Sequence, residues 1–164
     1  MSKRTKFVKY AHQEVLNHSL YLWGGQGESV IDTTPKTIED MEDTAKNAGR
    51  VLKTLSVFIG EGYVMSKAKY FDCSGLIVWL LMKLKLIDRD YTANMIFKEL
   101  CNEISRDSLK SGDLCFIRSN GICTHVGIYS ADYGVIEAAG RDVGVVERSI
   151  SKNNWNCFGR LKCL

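Results

Sequence analysis

Ser111-Gly112-Asp113-Leu114-Cys115-Phe116-Ile117-Arg118-Ser119-Asn120-Gly121-Ile122-Cys123-Thr124-His125-Val126-Gly127-Ile128-Tyr129 is where the periodicity of this chain changes from helical to extended. Two runs rich in β-branched and aromatic residues, 114–118 and 123–130, flank Ser119-Asn120-Gly121, a signal for a tight hairpin turn. Further short runs follow at 134–139, 143–149 and 156–162, with Asp132-Tyr133-Gly134 as another turn signal. Consecutive short strands joined by tight turns predict an antiparallel meander of about five strands.

Upstream of residue 111 the pattern is helical. Phe7, Val8, Ala11, Val15 and Leu16 recur at three- and four-residue spacings and predict an amphipathic helix over 4–17. Thr34-Pro35 is an N-cap followed by proline at the first helical position, and it opens one long helix with an apolar face from Ile38 to Ile59, ended by Gly60-Glu61-Gly62. An almost wholly aliphatic helix is expected over about 73–86, and a shorter one over about 92–102 capped by Thr92. Helices first and sheet second define an α+β class: a helical part over about 1–110 packed on a sheet part over about 111–164, in a single domain of 164 residues.

Composition excludes several function classes. A formal charge of +3, with no Lys/Arg cluster interleaved with aromatics, does not describe a nucleic-acid binder. No apolar stretch reaches the ~18–20 residues of a membrane span, so no membrane insertion is expected. The basic start Met1–Lys6 is followed by no apolar core or small-residue cleavage site, so synthesis in the cytoplasm without a signal peptide is expected. The six cysteines, Cys73, Cys101, Cys115, Cys123, Cys157 and Cys163, then read as reduced thiols. With no C-x-x-C pair and only His125 near a cysteine, neither a metal site nor a cofactor is expected.

The chemistry gathers at Asp72-Cys73-Ser74-Gly75-Leu76. Cys73 falls in the first turn of the aliphatic helix, where free N–H groups and the helix dipole favour a thiolate and so make a nucleophile. His125 is the one histidine C-terminal to it and can serve as its base. The strand returning after Asp132-Tyr133-Gly134 carries Glu137, which can face the histidine strand and accept the imidazole N–H. A nucleophile, a base and an orienter in this order place catalysis at the junction of helices and sheet.

This layout resembles the papain-like arrangement, and the motifs resemble the NlpC-type cell-wall cysteine peptidases over nearly the whole chain. The pieces are Tyr21-Leu22-Trp23-Gly24-Gly25, Phe71-Asp72-Cys73-Ser74-Gly75-Leu76, Gly112-Asp113-Leu114, His125-Val126-Gly127-Ile128-Tyr129, and Trp155 followed by Phe158-Gly159-Arg160-Leu161. The resemblance implies Cys73 as nucleophile, His125 as base and Glu137 as third member. It also implies that Tyr21, Trp23, Asp72 and Ser74 bind substrate, with the Cys73 N–H and Tyr21 meeting the oxyanion. The implied partner is bacterial peptidoglycan, cut at an amide of the stem peptide, commonly the γ-D-glutamyl link to the diamino acid. An N-acetylmuramoyl-L-alanine amidase and a non-catalytic wall-binding module are the alternatives. Two departures stand out: glutamate takes a position often filled by histidine, asparagine or glutamine, and a long helical stretch separates the Tyr21 loop from Cys73. The second is more like the phage and prophage endolysin branch, whose members leave the cytoplasm through holin lesions.

Overall fold

The computed structural model describes all residues, 1–164. Its elements are α1 (Lys3–Leu16), β1 (Leu20–Tyr21), β2 (Gln26–Ser29), α2 (Pro35–Met41), α3 (Ala45–Gly60), β3 (Lys69–Phe71), α4 (Cys73–Lys83), α5 (Ala93–Met95), β4 (Cys101–Ile104), β5 (Leu114–Ser119), β6 (Ile122–Tyr129), β7 (Gly134–Ala138), β8 (Val145–Ser149) and β9 (Cys157–Leu161). The architecture is α+β, with a six-stranded antiparallel sheet in the order β4-β9-β5-β6-β7-β8 and a small sheet in the order β1-β3-β2.

α4 is the central element. Leu76, Ile77, Val78, Leu80 and Leu81 are all at most 1% exposed, as a helix apolar on every side must be. It packs with Phe7, Val8 and Ala11 of α1 against Val126, Ile128, Ile136 and Ala138 of the large sheet. Its entry is fixed by Asp72, whose Oδ1 accepts the Gly75 N–H at 2.7 Å. A second cluster, with Leu20, Leu22, Ile38, Val51 and Tyr70, joins the small sheet to α2 and α3. The far side of the large sheet holds Cys115, Val135, Ile150, Trp155 and Phe158.

Several expectations are corrected. The single long helix is two, α2 and α3, because Glu42 turns extended (ψ 154°) and Thr44 caps a new start by accepting the Asn47 N–H at 3.1 Å. The helix expected over about 92–102 is a single turn continued by a π-helical turn, Ile96–Leu100, after which the chain becomes β4 and pairs with β9. That strand makes the sheet six-stranded rather than five. It also means that β1 to β4 all precede residue 111, where strands were not expected. The aliphatic helix ends at Lys83, with Lys85 at φ +57° stopping it before residue 86. On α1 the buried stripe runs through Phe7, Ala11 and Glu14, while Leu16 is 71% exposed.

The Gly112-Asp113-Leu114 motif proves to be a clamp. The buried Asp113 carboxylate takes Arg160 on both oxygens (2.9 and 2.7 Å), Arg4 of α1 at 2.9 Å and the Lys110 N–H at 2.8 Å. Burial opposes its charge, but these donors hold its pKa below the usual carboxylate value. Gly112 has φ +90°, and a Cβ there would lie 2.9 Å from Arg4, so glycine leaves the arginine its path.

Candidate active site

The hairpin β5–β6 turns on Asn120-Gly121, both with positive φ (49° and 76°), as a primed turn requires. Beyond the turn the register slips: Arg118 pairs Cys123, but Ile117 pairs His125, so Thr124 is an extra residue. This bulge reverses the facing of the strand just before His125. Cys123 joins Val126 and Ile128 in the α4-facing core, and His125 is left half-buried on the other side.

Ile128 of β6 pairs Ile136 of β7; continued along the strands, that register sets Gly127 opposite Glu137, with His125 diagonal to the carboxylate. Glu137 Oε2 lies 3.4 Å from His125 Nε2, which leaves Nδ1 unengaged by the carboxylate, and the Cys73 thiol is close enough to act on the charge of His125. Burial opposes the imidazolium, yet the interactions with Cys73 and Glu137 outweigh it and raise the His125 pKa to about 9. Burial likewise opposes the Glu137 anion, and His125 and Arg148 overcome it to hold that pKa below the ordinary value. Cys73, His125 and Glu137 are thus brought together beside the first residue of α4.

Trp155 completes the histidine's setting. Its ring stacks on the imidazole, with centroids 5.3 Å apart and planes 15° off parallel. A Cβ on Gly127 would come within 3.1 Å of that indole and 2.7 Å of Val135, so the glycine of the His-Val-Gly motif is the room the tryptophan occupies.

The Tyr21–Gly25 turn packs directly on the start of α4. The Asp72 N–H donates to Gly25 O at 3.0 Å, and Asp72 Oδ2 accepts the Gly24 N–H at 3.0 Å. Both Asp72 oxygens are therefore occupied within the fold, Oδ1 also receiving Ser74 Oγ at 3.3 Å. Burial dominates at Asp72 and raises its pKa above the usual value despite these donors. Burial, together with the charges of Cys73 and Asp72, pushes the Tyr21 hydroxyl up to about 12 against the opposing pull of Arg141, so it remains a neutral donor near the thiol. Trp23, 47% exposed, extends from the same turn.

The sequence reading did not include the groups that brace these residues. Glu42 Oε1 accepts the Trp23 N–H at 3.0 Å, and its Oε2 accepts Arg141 Nε at 2.8 Å. The Arg141 guanidinium lies 5.4 Å from the Tyr21 ring centroid and 6.0 Å from that of Trp23. Arg148 and Asn153 hold Glu137. A signal for Arg148 existed: an inward carboxylate on β7 needs a cation, and the facing run Val145-Val146-Glu147-Arg148-Ser149 offers one.

The RipD protein of Mycobacterium tuberculosis, described as a non-catalytic NlpC/p60 domain protein adapted to peptidoglycan binding, superposes with a TM-score of 0.62 at 14% identity, covering 100% of this chain and 99% of that one. The NlpC/p60 domain of the peptidoglycan hydrolase SagA gives 0.60 at 19% identity, covering 96% and 98%. In sequence, murein DD-endopeptidase MepH of Escherichia coli (strain K12) is 34% identical over 88 residues, which is 52% of this chain and 32% of that protein. The match therefore spans about a third of the curated relative. The NlpC/P60 family model matches residues 60–159. That stretch contains Cys73, His125, Glu137 and Trp155, and the chain belongs to the NlpC/P60 family.

Proposed function

We propose that this chain is a peptidoglycan hydrolase that cuts an amide of the stem peptide, with Cys73 as nucleophile, His125 as base and acid, and Glu137 as the group that orients His125. The observation that carries the reading is the convergence of Cys73, His125 and Glu137 at the first turn of α4. Non-catalytic members of the fold exist, RipD among them by its description. A buried carboxylate aimed at a histidine beside a thiol is costly to maintain, and a pure binding module has no need of it.

In this reading Cys73 Sγ, as thiolate, attacks the amide carbonyl carbon, and the oxygen becomes an oxyanion met by the Cys73 N–H and the Tyr21 hydroxyl. The carbon–nitrogen bond breaks as the His125 imidazolium gives its proton to the departing amine. Water then attacks the thioester, giving a proton to His125, and a carboxylate product leaves with the thiolate restored. Trp23, Ser74 and the rim of the Tyr21 turn contact the peptide. Asp72 serves by holding that turn to α4.

The bond we assign is the γ-D-glutamyl link to the diamino acid; the MepH description names a DD-endopeptidase and makes the D,D cross-link the second reading. The α2–α3 segment between Tyr21 and Cys73 supports a place in the phage or prophage endolysin branch, acting on the wall after holin-type release. Purified sacculi digested with the protein, followed by mass spectrometry of new termini, test the function. Free γ-D-glutamyl carboxylates are expected; free D-alanyl carboxylates from cross-links indicate the D,D bond, and free lactyl groups an amidase. If Cys73→Ala digests as fast as the wild type, the mechanism is wrong.

A further inference from the structure

We propose that Arg148 and Asn153 are positioning residues that hold the Glu137 carboxylate in one place and anionic, so that it can fix the His125 ring against Cys73. The inference rests on the reading of Cys73 and His125 as the reacting pair.

The distances carry it. At 3.4 Å, the Glu137–His125 contact is long beside the ~2.7–2.9 Å of a charge-assisted hydrogen bond, so the histidine does not set the carboxylate's position. Asn153 does: its Nδ2 donates to both oxygens, at 3.0 Å to Oε1 and 2.8 Å to Oε2. Arg148 Nη2 donates to Oε1 as well. Glu137 is 2% exposed, so these donors stand in for all the water it has lost.

The chain path explains how they arrive. Across β7–β8, Val146 pairs Glu137 and Arg148 pairs Val135, which puts the guanidinium on the diagonal of the carboxylate. A 3₁₀ turn, Ile150–Lys152, then brings Asn153 to the same group, and Trp155 two residues later stacks on His125. One segment, 148–155, therefore supports both the carboxylate and the ring. The buried Arg148 Nε has no hydrogen-bond partner, a cost accepted in order to aim Nη2 at Glu137.

The charged and titratable surroundings are few. His125 faces Glu137 from β6 and Arg148 from β8; the buried Cys115 thiol on β5 feels the Glu137 charge, and Lys152 lines the same small cavity. Arg148 is the cation hydrogen-bonded to the carboxylate. Without it the Glu137 carboxyl protonates at higher pH, and a neutral carboxyl no longer stabilises the imidazolium. The sign is then fixed: the reactive thiolate–imidazolium pair is lost earlier as pH falls.

The test is iodoacetamide alkylation of Cys73 across pH, read on the Cys73 peptide by mass spectrometry, with thermal melts confirming that each variant folds. Arg148→Gln should move the acid limb up by about one pH unit, an approximately tenfold slower reaction near pH 5.5 with little change near pH 8. Arg148→Lys keeps the charge and should restore most of the rate. Asn153→Ala should slow alkylation several-fold at every pH, because the carboxylate loses its anchor. In a Glu137→Gln background Arg148→Gln should add less than about twofold, since the two act through one group. Full additivity of the two changes, or an unmoved acid limb in folded Arg148→Gln, overturns the inference. If wild-type Cys73 reacts no faster than Cys163, the reading of the reacting pair fails, and this inference fails with it.

Discussion

Adding one methyl group to Gly75 should do more damage than most side-chain deletions in this protein, while the same methyl on Gly49 should help it. A Cβ at Gly75 would stand 2.0 Å from Gly25 O and 2.8 Å from Asp72 Oδ1. The first neighbour is backbone, held by the Asp72 N–H at 3.0 Å, so relief needs about 1 Å of separation between the Tyr21–Gly25 turn and α4. That separation breaks a part-buried backbone bond at about 1–3 kcal/mol and weakens the Asp72 cap at about 1 kcal/mol, against about 1 kcal/mol returned by the better helix former. The net loss is about 1–3 kcal/mol, or roughly 2–12 °C in Tm for a chain of this size. Gly49 lies in α3, exposed, with nothing within 4 Å of its missing Cβ, so Gly49→Ala should gain about 0.5–1 kcal/mol. Differential scanning calorimetry of both variants, with Cys73 alkylation alongside, decides the matter. Gly75→Ala should also slow alkylation, because Cys73 sits on the displaced turn. Equal melting shifts for the two variants would refute the close-approach argument.

Three further outcomes follow from the site and the clamp. Glu137→Gln removes one of the two groups that raise His125 to about 9, so the alkaline limb of peptidoglycan-fragment hydrolysis, which needs the imidazolium as acid, should fall by about one pH unit, with the largest loss near pH 8.5. Asp113→Asn leaves two arginines facing an amide and should cost about 3 kcal/mol at neutral pH by urea unfolding, the low end for such a pair because Arg4 and Arg160 are 24% and 31% exposed. Since the folded Asp113 pKa is lowered, its contribution is present above the ordinary carboxylate value and is lost as pH falls, so the two proteins should converge in acid. Arg141→Leu frees the Tyr21 and Trp23 rings from their guanidinium; turnover of peptidoglycan fragments should fall several-fold while iodoacetamide still labels Cys73 at near the wild-type rate.

What could be read in advance was local. Asn120-Gly121 forms its turn, Thr34-Pro35 opens a helix and the run after Cys73 is helical, as expected from a few residues each, although both helices end earlier than expected. The misreadings share a cause. Glu42 continues a helical pattern by propensity, but its carboxylate is claimed by Trp23 and Arg141, 19 residues before it and 99 after, so the helix breaks there. Cys101–Ile104 has the composition of a helix end and becomes a strand because β9 presents an unpaired edge.

The same distinction separates the parts of the site. Cys73 could be picked out because its chemistry depends on a position along one helix, and Glu137 because strand alternation aims it. The bulge at Thr124 could not, since His125 faces its partner only through a register set by Ile117 on the neighbouring strand. Gly127 looks like a weak point in a strand until Trp155 is seen to fill the space beside it. A glycine and a tryptophan 28 positions apart are thus one packing unit around the histidine, and neither has a visible reason alone. The His-Val-Gly motif is accordingly best understood as the visible half of contacts whose other half lies on the segment from Arg148 to Trp155.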